Sequence, residues 1–314
     1  MLIVGAMLAG GLVTPTGAVE PTPQTTWMPQ QLDAWATITD RTTTKPVPVT
    51  NGVSAFSETI DSVEGRVPIH VVTADMGDPN VRVRTVVSND SVIDPGNETL
   101  TSMAHRTGAV AGINGGYFHM HASGQAIDGE IVDGEIWKSP TANLEATIAI
   151  LDDGSVAYGP QKFTGSVAAG AATRPLTSIN TLADAKADGI TMITPRLGAV
   201  ATTWFGGQHV VALGTSDDGG KTIQVTGVST ETSLTDDHYG LVGGTPDSAS
   251  GRWILDNVAV GTTLTTTHQI SPNNNIEQLI QGSGLMLKNG EVHDDPNRED
   301  ALGPPPGDRR RQHR

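Results

Sequence analysis

The chain has 314 residues and no cysteine, and its 34 acidic against 19 basic residues give a net charge of −15. Disulfides and thiolate catalysis are thereby excluded, and the acidic balance argues against a nucleic-acid partner, which needs a basic surface to meet its phosphates. Aromatics are scarce while Gly, Thr, Val and Ala abound, so a β-rich, turn-rich fold is expected rather than a helical bundle.

The first segment, "MLIVGAMLAGGLV", is apolar and too short for a membrane span of about 20 residues. Thr16-Gly17-Ala18 then offers small residues for signal-peptidase cleavage before Val19, although no Lys or Arg precedes the apolar run. Residues 1–18 are therefore expected to be a signal peptide, and the mature protein to be secreted or held in the cell envelope. The alternative is a buried first strand or helix. Residues 19–56 are rich in Pro, Thr and Gln and show no sustained period, which predicts a linker or loose arm.

From residue 57 the pattern changes. "RVPIHVVTADM" and "NVRVRTVVS" are β-branched runs separated by the turn cluster Gly77-Asp78-Pro79-Asn80. "ETLTSMAHRTG" predicts a short helix ended by Gly108, and the continuous apolar run "AVAGIN" a central strand. Asn114-Gly115-Gly116 follows, where positive φ and close backbone approach are allowed. "EIVDGEIW" has hairpin chemistry about Asp133-Gly134, and "ATIAILDDGSVAYG" about Asp153-Gly154. "TSINTLADAKADGI" reads as a polar helical or loop excursion. "GITMITPRLG", "HVVALGT", "GTTLTTTHQI" and "IEQLIQGSGLMLKNGEV" add strands, the last with a turn at Asn289-Gly290. The domain so defined runs over 57–302. Residues 303–314 carry Pro304-Pro305-Pro306 and an Arg cluster with nothing to bury, which predicts a disordered tail.

In order along the chain, "AVAGINGGYFH", "GEIVDGEIW", "NLEATIAIL" and "IEQLIQGSGLMLKNGEV" resemble the phosphodiester glycosidase domain, the domain of the mannose-6-phosphate uncovering enzyme and its bacterial relatives. The resemblance spans roughly residues 57–295. It implies an α+β fold: a β-rich mixed sheet with hairpins and a few short helices. It also implies hydrolysis of the bond between a sugar's anomeric carbon and a phosphodiester. Two segments that the family carries further on, one like RTAIG and one like DGGGS, have no counterpart after Val292. The domain is therefore expected to lack its C-terminal part and to be inactive as it stands. The alternative function is that of an inactive homologue or an envelope glycan-binding module.

A phosphate monoester leaves more readily than an alkoxide, since its second pKa is about 6. The chemistry then asks less of a general acid than ordinary glycoside hydrolysis does. It asks for groups that hold an anionic phosphate and for a carboxylate that supports positive charge at the anomeric carbon. Asp128 and Glu130, flanking Gly129, are the candidate catalytic carboxylates. Asn114, Gly115, Gly116, Tyr117, His119 and Arg196 are candidate substrate contacts, Arg196 being equally open to a surface ion pair. Tyr117 and Phe118 suit either sugar stacking or the core. His119 and His121 have the i, i+2 spacing of a metal pair on a strand, but no third ligand is identifiable, so neither metal nor cofactor is expected. The expected partner is a phosphate-linked glycan or sugar phosphodiester, with no nucleic acid and no stable membrane span.

Overall fold

A computed structural model of the protein describes residues 3–6, 38–62, 65–93, 96, 98–119, 123–181, 188–199, 209–230, 237–282, 287–288 and 291–292. The chain divides into two compact units, one of residues 1–6 and 83–283, the other of residues 7–82 and 284–314. The first strand, β1 (Ile3–Ala6), belongs to the larger unit.

The smaller unit contains β2 (Ile38–Thr43), β3 (Val47–Thr50), β4 (Val53–Ser62) and β5 (Gly65–Ala74). Strand β4 is central. Along one edge it pairs with β5 over its whole length, and along the other with β2 and β3 in succession. Asn51-Gly52 makes the β3–β4 turn, with Gly52 at φ +69. The linker expected over 19–56 is thus strand from Ile38 onward, and the boundary between units falls after Arg82 rather than near residue 57. The misleading feature is the proline content. Pro48 sits in β3, an outer strand, where a missing N–H is tolerated. The Thr and Val residues around it supply β-branched side chains that need only a partner. Glu58 is buried on this sheet and accepts bonds from the Arg41 guanidinium (2.6 Å) and Thr43 Oγ1 (3.2 Å).

The larger unit continues with β6 (Val83–Val86), α1 (Leu100–Thr107), β7 (Glu130–Val132), β8 (Glu135–Lys138), β9 (Thr147–Leu151), β10 (Val156–Tyr158), β11 (Lys162–Ala169) and β12 (Ala172–Leu176). Next come β13 (Ser178–Ile179), β14 (Thr191–Ile193), β15 (Val211–Thr215), β16 (Thr222–Ser229), β17 (Tyr239–Val242), α2 (Ala249–Asn257), β18 (Thr263–Ser271) and β19 (Ile276–Gln281). Two short strands in the smaller unit, β20 (Leu287–Lys288) and β21 (Glu291–Val292), pair with each other.

The larger unit holds a five-stranded antiparallel sheet of order β10-β9-β19-β7-β8. Its eight-stranded sheet has the order β12-β11-β18-β16-β15-β17-β14-β13, with β13 and β14 parallel, so it is mixed as expected. One core joins the sheets: Ile131, Ala149 and Leu279 of the first meet Val167, Ile179, Met192, Ile223 and Leu264 of the second. With only two α-helices among the described residues, the fold is β-rich and closer to all-β than to α+β. The hairpins predicted at Asp133-Gly134 and Asp153-Gly154 both form. The central strand predicted over "AVAGIN" does not. After Gly108 this run forms no strand: pairing is limited to a single β-bridge residue at Asn114, and Val110 and Ile113 are exposed. An unbroken apolar run has no period, so it cannot distinguish a buried strand from such an exposed stretch.

Helix α1 forms as predicted. The Thr99 side chain caps it by accepting from Ser102 N (3.2 Å), and Gly108 ends it at φ +68. Beside it Glu98 gathers bonds from Arg106 Nε (3.1 Å) and Nη2 (2.8 Å), from Asn89 N and from Ser102 Oγ. The Arg106 guanidinium, opposed by burial and aided by the other donors, holds the Glu98 carboxyl down at about 2 from 4.5. Arg106 also binds Asp90 (2.7 Å) and the Val87 carbonyl (3.1 Å). Replacing Arg106 by Met should cost about 2 kcal/mol, since it strands a largely covered carboxylate. Because the folded pKa is depressed, that stabilisation is complete above pH 4.5 and is lost as pH falls toward 2. Thermal melts of both proteins across this window should converge at the acid end; a constant gap would refute the account.

Candidate functional site

The β7–β8 hairpin turns through Asp133 (φ +50) and Gly134 (φ +78), a two-residue turn of the kind that matches strand twist. Its register sets Glu130 opposite Lys138, and β19 places Ile280 on the other side of Glu130. Directly opposed residues share a face, so all three project from the same side of the five-stranded sheet. Residues 117–119 and 123–127 lie over them. These two stretches are joined by Ile127 N to the Tyr117 carbonyl (2.8 Å), His119 N to the Gln125 carbonyl (2.9 Å) and a Phe118–Ala126 bridge. Two buried side chains hold them down. Lys138 Nζ donates to the carbonyls of Ala126 (2.5 Å) and Ile127 (2.6 Å), and Gln125 Nε2 to that of Asn180 (3.0 Å).

Beneath this cover is a cavity of about 10 Å³, room for roughly one water molecule. Gly116, Tyr117, Ala126, Asp128, Gly129, Glu130, Ile280 and Gln281 line it. Glu130 is 3% exposed, and its Oε2 has no hydrogen-bond partner. Burial raises its pKa from 4.5 to about 7, with the Lys138 ammonium pulling the other way. A carboxyl poised near neutrality in a lined cavity has the signature of an acid–base group.

Gln281 is the residue that the sequence reading missed. It is fully buried, and every polar position of its amide is used. Oε1 accepts from Gly129 N and Thr141 N, both at 2.8 Å, while Nε2 donates to Thr141 O (3.1 Å) and Thr147 Oγ1 (2.9 Å). The two lining glycines are explained by β19 and its surroundings. A Cβ on Gly116 would stand 2.2 Å from the Gln281 carbonyl oxygen, and one on Gly129 2.4 Å from Pro140 Cα. Gly116 is therefore required by close backbone approach, whatever it offers a ligand. The available signal was Gln281 itself, a polar residue ending the apolar strand "IEQLI".

Of the predicted residues, the structure gathers Asp128, Glu130, Gly116 and Tyr117 around one cavity. Asn114 and Gly115 are exposed and do not line it; His119 is likewise exposed. His121 lies outside the described residues, among which no group of His, Asp and Glu could hold a metal ion. Arg196 is engaged elsewhere. Its Nε and Nη2 bind the Glu135 carboxylate at 2.9–3.1 Å, and its guanidinium stacks 4.5 Å from the Trp137 ring centroid. Phe118 is half-buried. The tail from 303 lies outside the described residues, and no described helix is long and apolar enough to cross a membrane.

Comparison by sequence finds no matching family model and no matching curated protein. By structure the chain is similar to a protein from Synechocystis whose crystal structure is described as that of a hypothetical protein. The TM-score is 0.63 at 18% identity, over 80% of this chain and 46% of the other. The likeness supports the fold, and the chain spans about half the length of that structure.

Proposed function

We propose that the protein is a hydrolase of sugar-1-phosphodiester linkages, of the phosphodiester glycosidase type, acting on phosphate-linked glycans, and that the carboxylates on its cavity suffice for turnover, against the inactivity expected from the missing RTAIG- and DGGGS-like segments. One observation carries this reading: the buried Glu130, with an unpartnered oxygen, beside Asp128 on a cavity of one-water size. In the proposed reaction that water attacks the anomeric carbon and passes its proton to Glu130 Oε2. The carbon–oxygen bond to phosphorus-bound oxygen breaks, and the phosphate monoester departs with the bonding pair. Asp128 at the same cavity supports the positive charge that develops at the anomeric carbon. Export to the cell envelope, drawn from the apolar segment ahead of Thr16-Gly17-Ala18, belongs to the same proposal; cleavage there would take β1 from its antiparallel pairing with β6.

A second reading has its own support. Tyr117 is 54% exposed at the cavity's edge and offers a stacking face, which suits a glycan-binding module without turnover. Incubating the full chain with aryl glycosyl-phosphates and following sugar release decides between them. Turnover above background that falls at least about 100-fold in Glu130→Gln is expected from the hydrolase. Glycan binding with no release would favour the module, and turnover untouched by Glu130→Gln would remove the proposed mechanism.

A further inference from the structure

The register of the five-stranded sheet continues the cavity into a strip. Glu130 opposes Ile280, Ile280 opposes Ile148, and Ile148 opposes Tyr158. Opposed residues share a face, so Lys138, Glu130, Ile280, Ile148 and Tyr158 form one row across β8, β7, β19, β9 and β10. From Glu130 to Tyr158 the row covers three strand spacings, roughly 14 Å. Its beginning is polar and covered. Its far end is apolar and open: Ile148 is 47% exposed and Tyr158 72%. The neighbouring pair Ile150–Val156 widens the apolar end, and Val156 too is exposed. On that same flank Thr85 N donates to Gln278 Oε1 (2.9 Å), so β6 gives the strip a wall.

We propose that this strip is the subsite for the alcohol carried by the phosphate, and that this alcohol is an alkyl chain. The proposal rests on the hydrolase reading of the cavity. A row with an ammonium and a carboxyl at one end and only Ile and Tyr at the other matches an amphiphile. Its polar head lies toward Lys138 and Glu130, with the anomeric carbon between the attacking water and the departing phosphate, and its chain runs on over Ile280 and Ile148 to Tyr158. On a chain with a net charge of −15, a strip without charge beyond Glu130 is where an uncharged tail meets no cost of burying carboxylates.

The test is the affinity of the full chain for methyl phosphate and octyl phosphate, below micelle formation, by calorimetry or amide shifts. Octyl glucoside serves as the neutral-headed control. Octyl phosphate should bind at least about tenfold more tightly than methyl phosphate, because several methylenes leave water. Ile148→Ser and Tyr158→Ser, both at exposed positions, should each cut that ratio about threefold or more without changing the melting temperature. Equal affinity for the two phosphates, a ratio unmoved by both substitutions, or octyl glucoside binding as tightly as octyl phosphate would overturn the subsite. So would a wild-type dimer in sedimentation that both substitutions dissolve, which would assign the strip to a second copy. Hydrolysis of methyl and octyl glycosyl-phosphates separates the two proposals. Chain-length-dependent binding without any hydrolysis sinks the catalytic reading alone. Hydrolysis with equal kcat/KM for both sinks the subsite alone.

Discussion

Gln281→Leu is expected to destabilise the larger unit by about 3 kcal/mol, because it strands the buried Gly129 N–H and Thr147 Oγ1 and unpairs the part-buried Thr141 amide groups. The Gly129 and Thr141 N–H groups both lose the Gln281 Oε1 acceptor, and Thr141 O and Thr147 Oγ1 lose the Nε2 donor. Leu fills most of the volume, so the loss reads as hydrogen bonding rather than as a void. In a unit of this size the melting temperature should fall by roughly 10 °C. The damage should also be local: amide exchange at Gly129 and Thr141 should accelerate more than in the eight-stranded sheet. A variant within about 1 kcal/mol of wild type, with unchanged exchange at those two amides, would show that Gln281 is not what fixes the Gly129 end of β7.

Gln281 also shows why the sequence was only partly legible. Local chemistry could be read wherever the cause lies within a few residues. Asp133-Gly134 and Asp153-Gly154 specify their hairpins, and Thr99 and Gly108 bound α1, because turn and cap geometry are properties of adjacent residues. The carboxylates Asp128 and Glu130 were legible as a pair on a turn-rich strand entry, and the structure sets both on one cavity. What the sequence does not carry is the partner across the sheet. Glu130 owes its burial to Ile280 and to the stretches around Tyr117 and Ala126, and Gly129 owes its fixed amide to a residue 152 positions away. Arg196 was open between phosphate contact and ion pair, and only the juxtaposition with Glu135 and Trp137 selects the pair. "AVAGIN" misled in the opposite sense: strong apolar composition without a period said nothing about which surface, if any, would cover it.

The pH dependence of stability should identify Glu130 as the buried acid. Its folded pKa is raised from 4.5 to about 7, by burial first and against the pull of Lys138. A carboxyl so shifted keeps its proton in the folded state where the unfolded chain has released it. Below 4.5 both states are protonated and the group contributes no difference. As pH rises from 4.5 through 7 the unfolded state is increasingly favoured, so stability falls across that window. This is opposite in sign to the Glu98 effect, whose contribution vanishes on acidification. Glu130→Gln has no proton to release and should lack this fall. Its baseline also changes, because Lys138 loses an anionic neighbour and keeps the Ala126 and Ile127 carbonyls. The slope is therefore the diagnostic, not the absolute melting temperature. Melts of both proteins at about pH 5 and about pH 8 should show wild type losing more stability than the variant, by an amount on the order of 2 kcal/mol. Parallel slopes would place the Glu130 proton outside the folding equilibrium, and with it remove the near-neutral acid–base group on which the proposed hydrolysis depends.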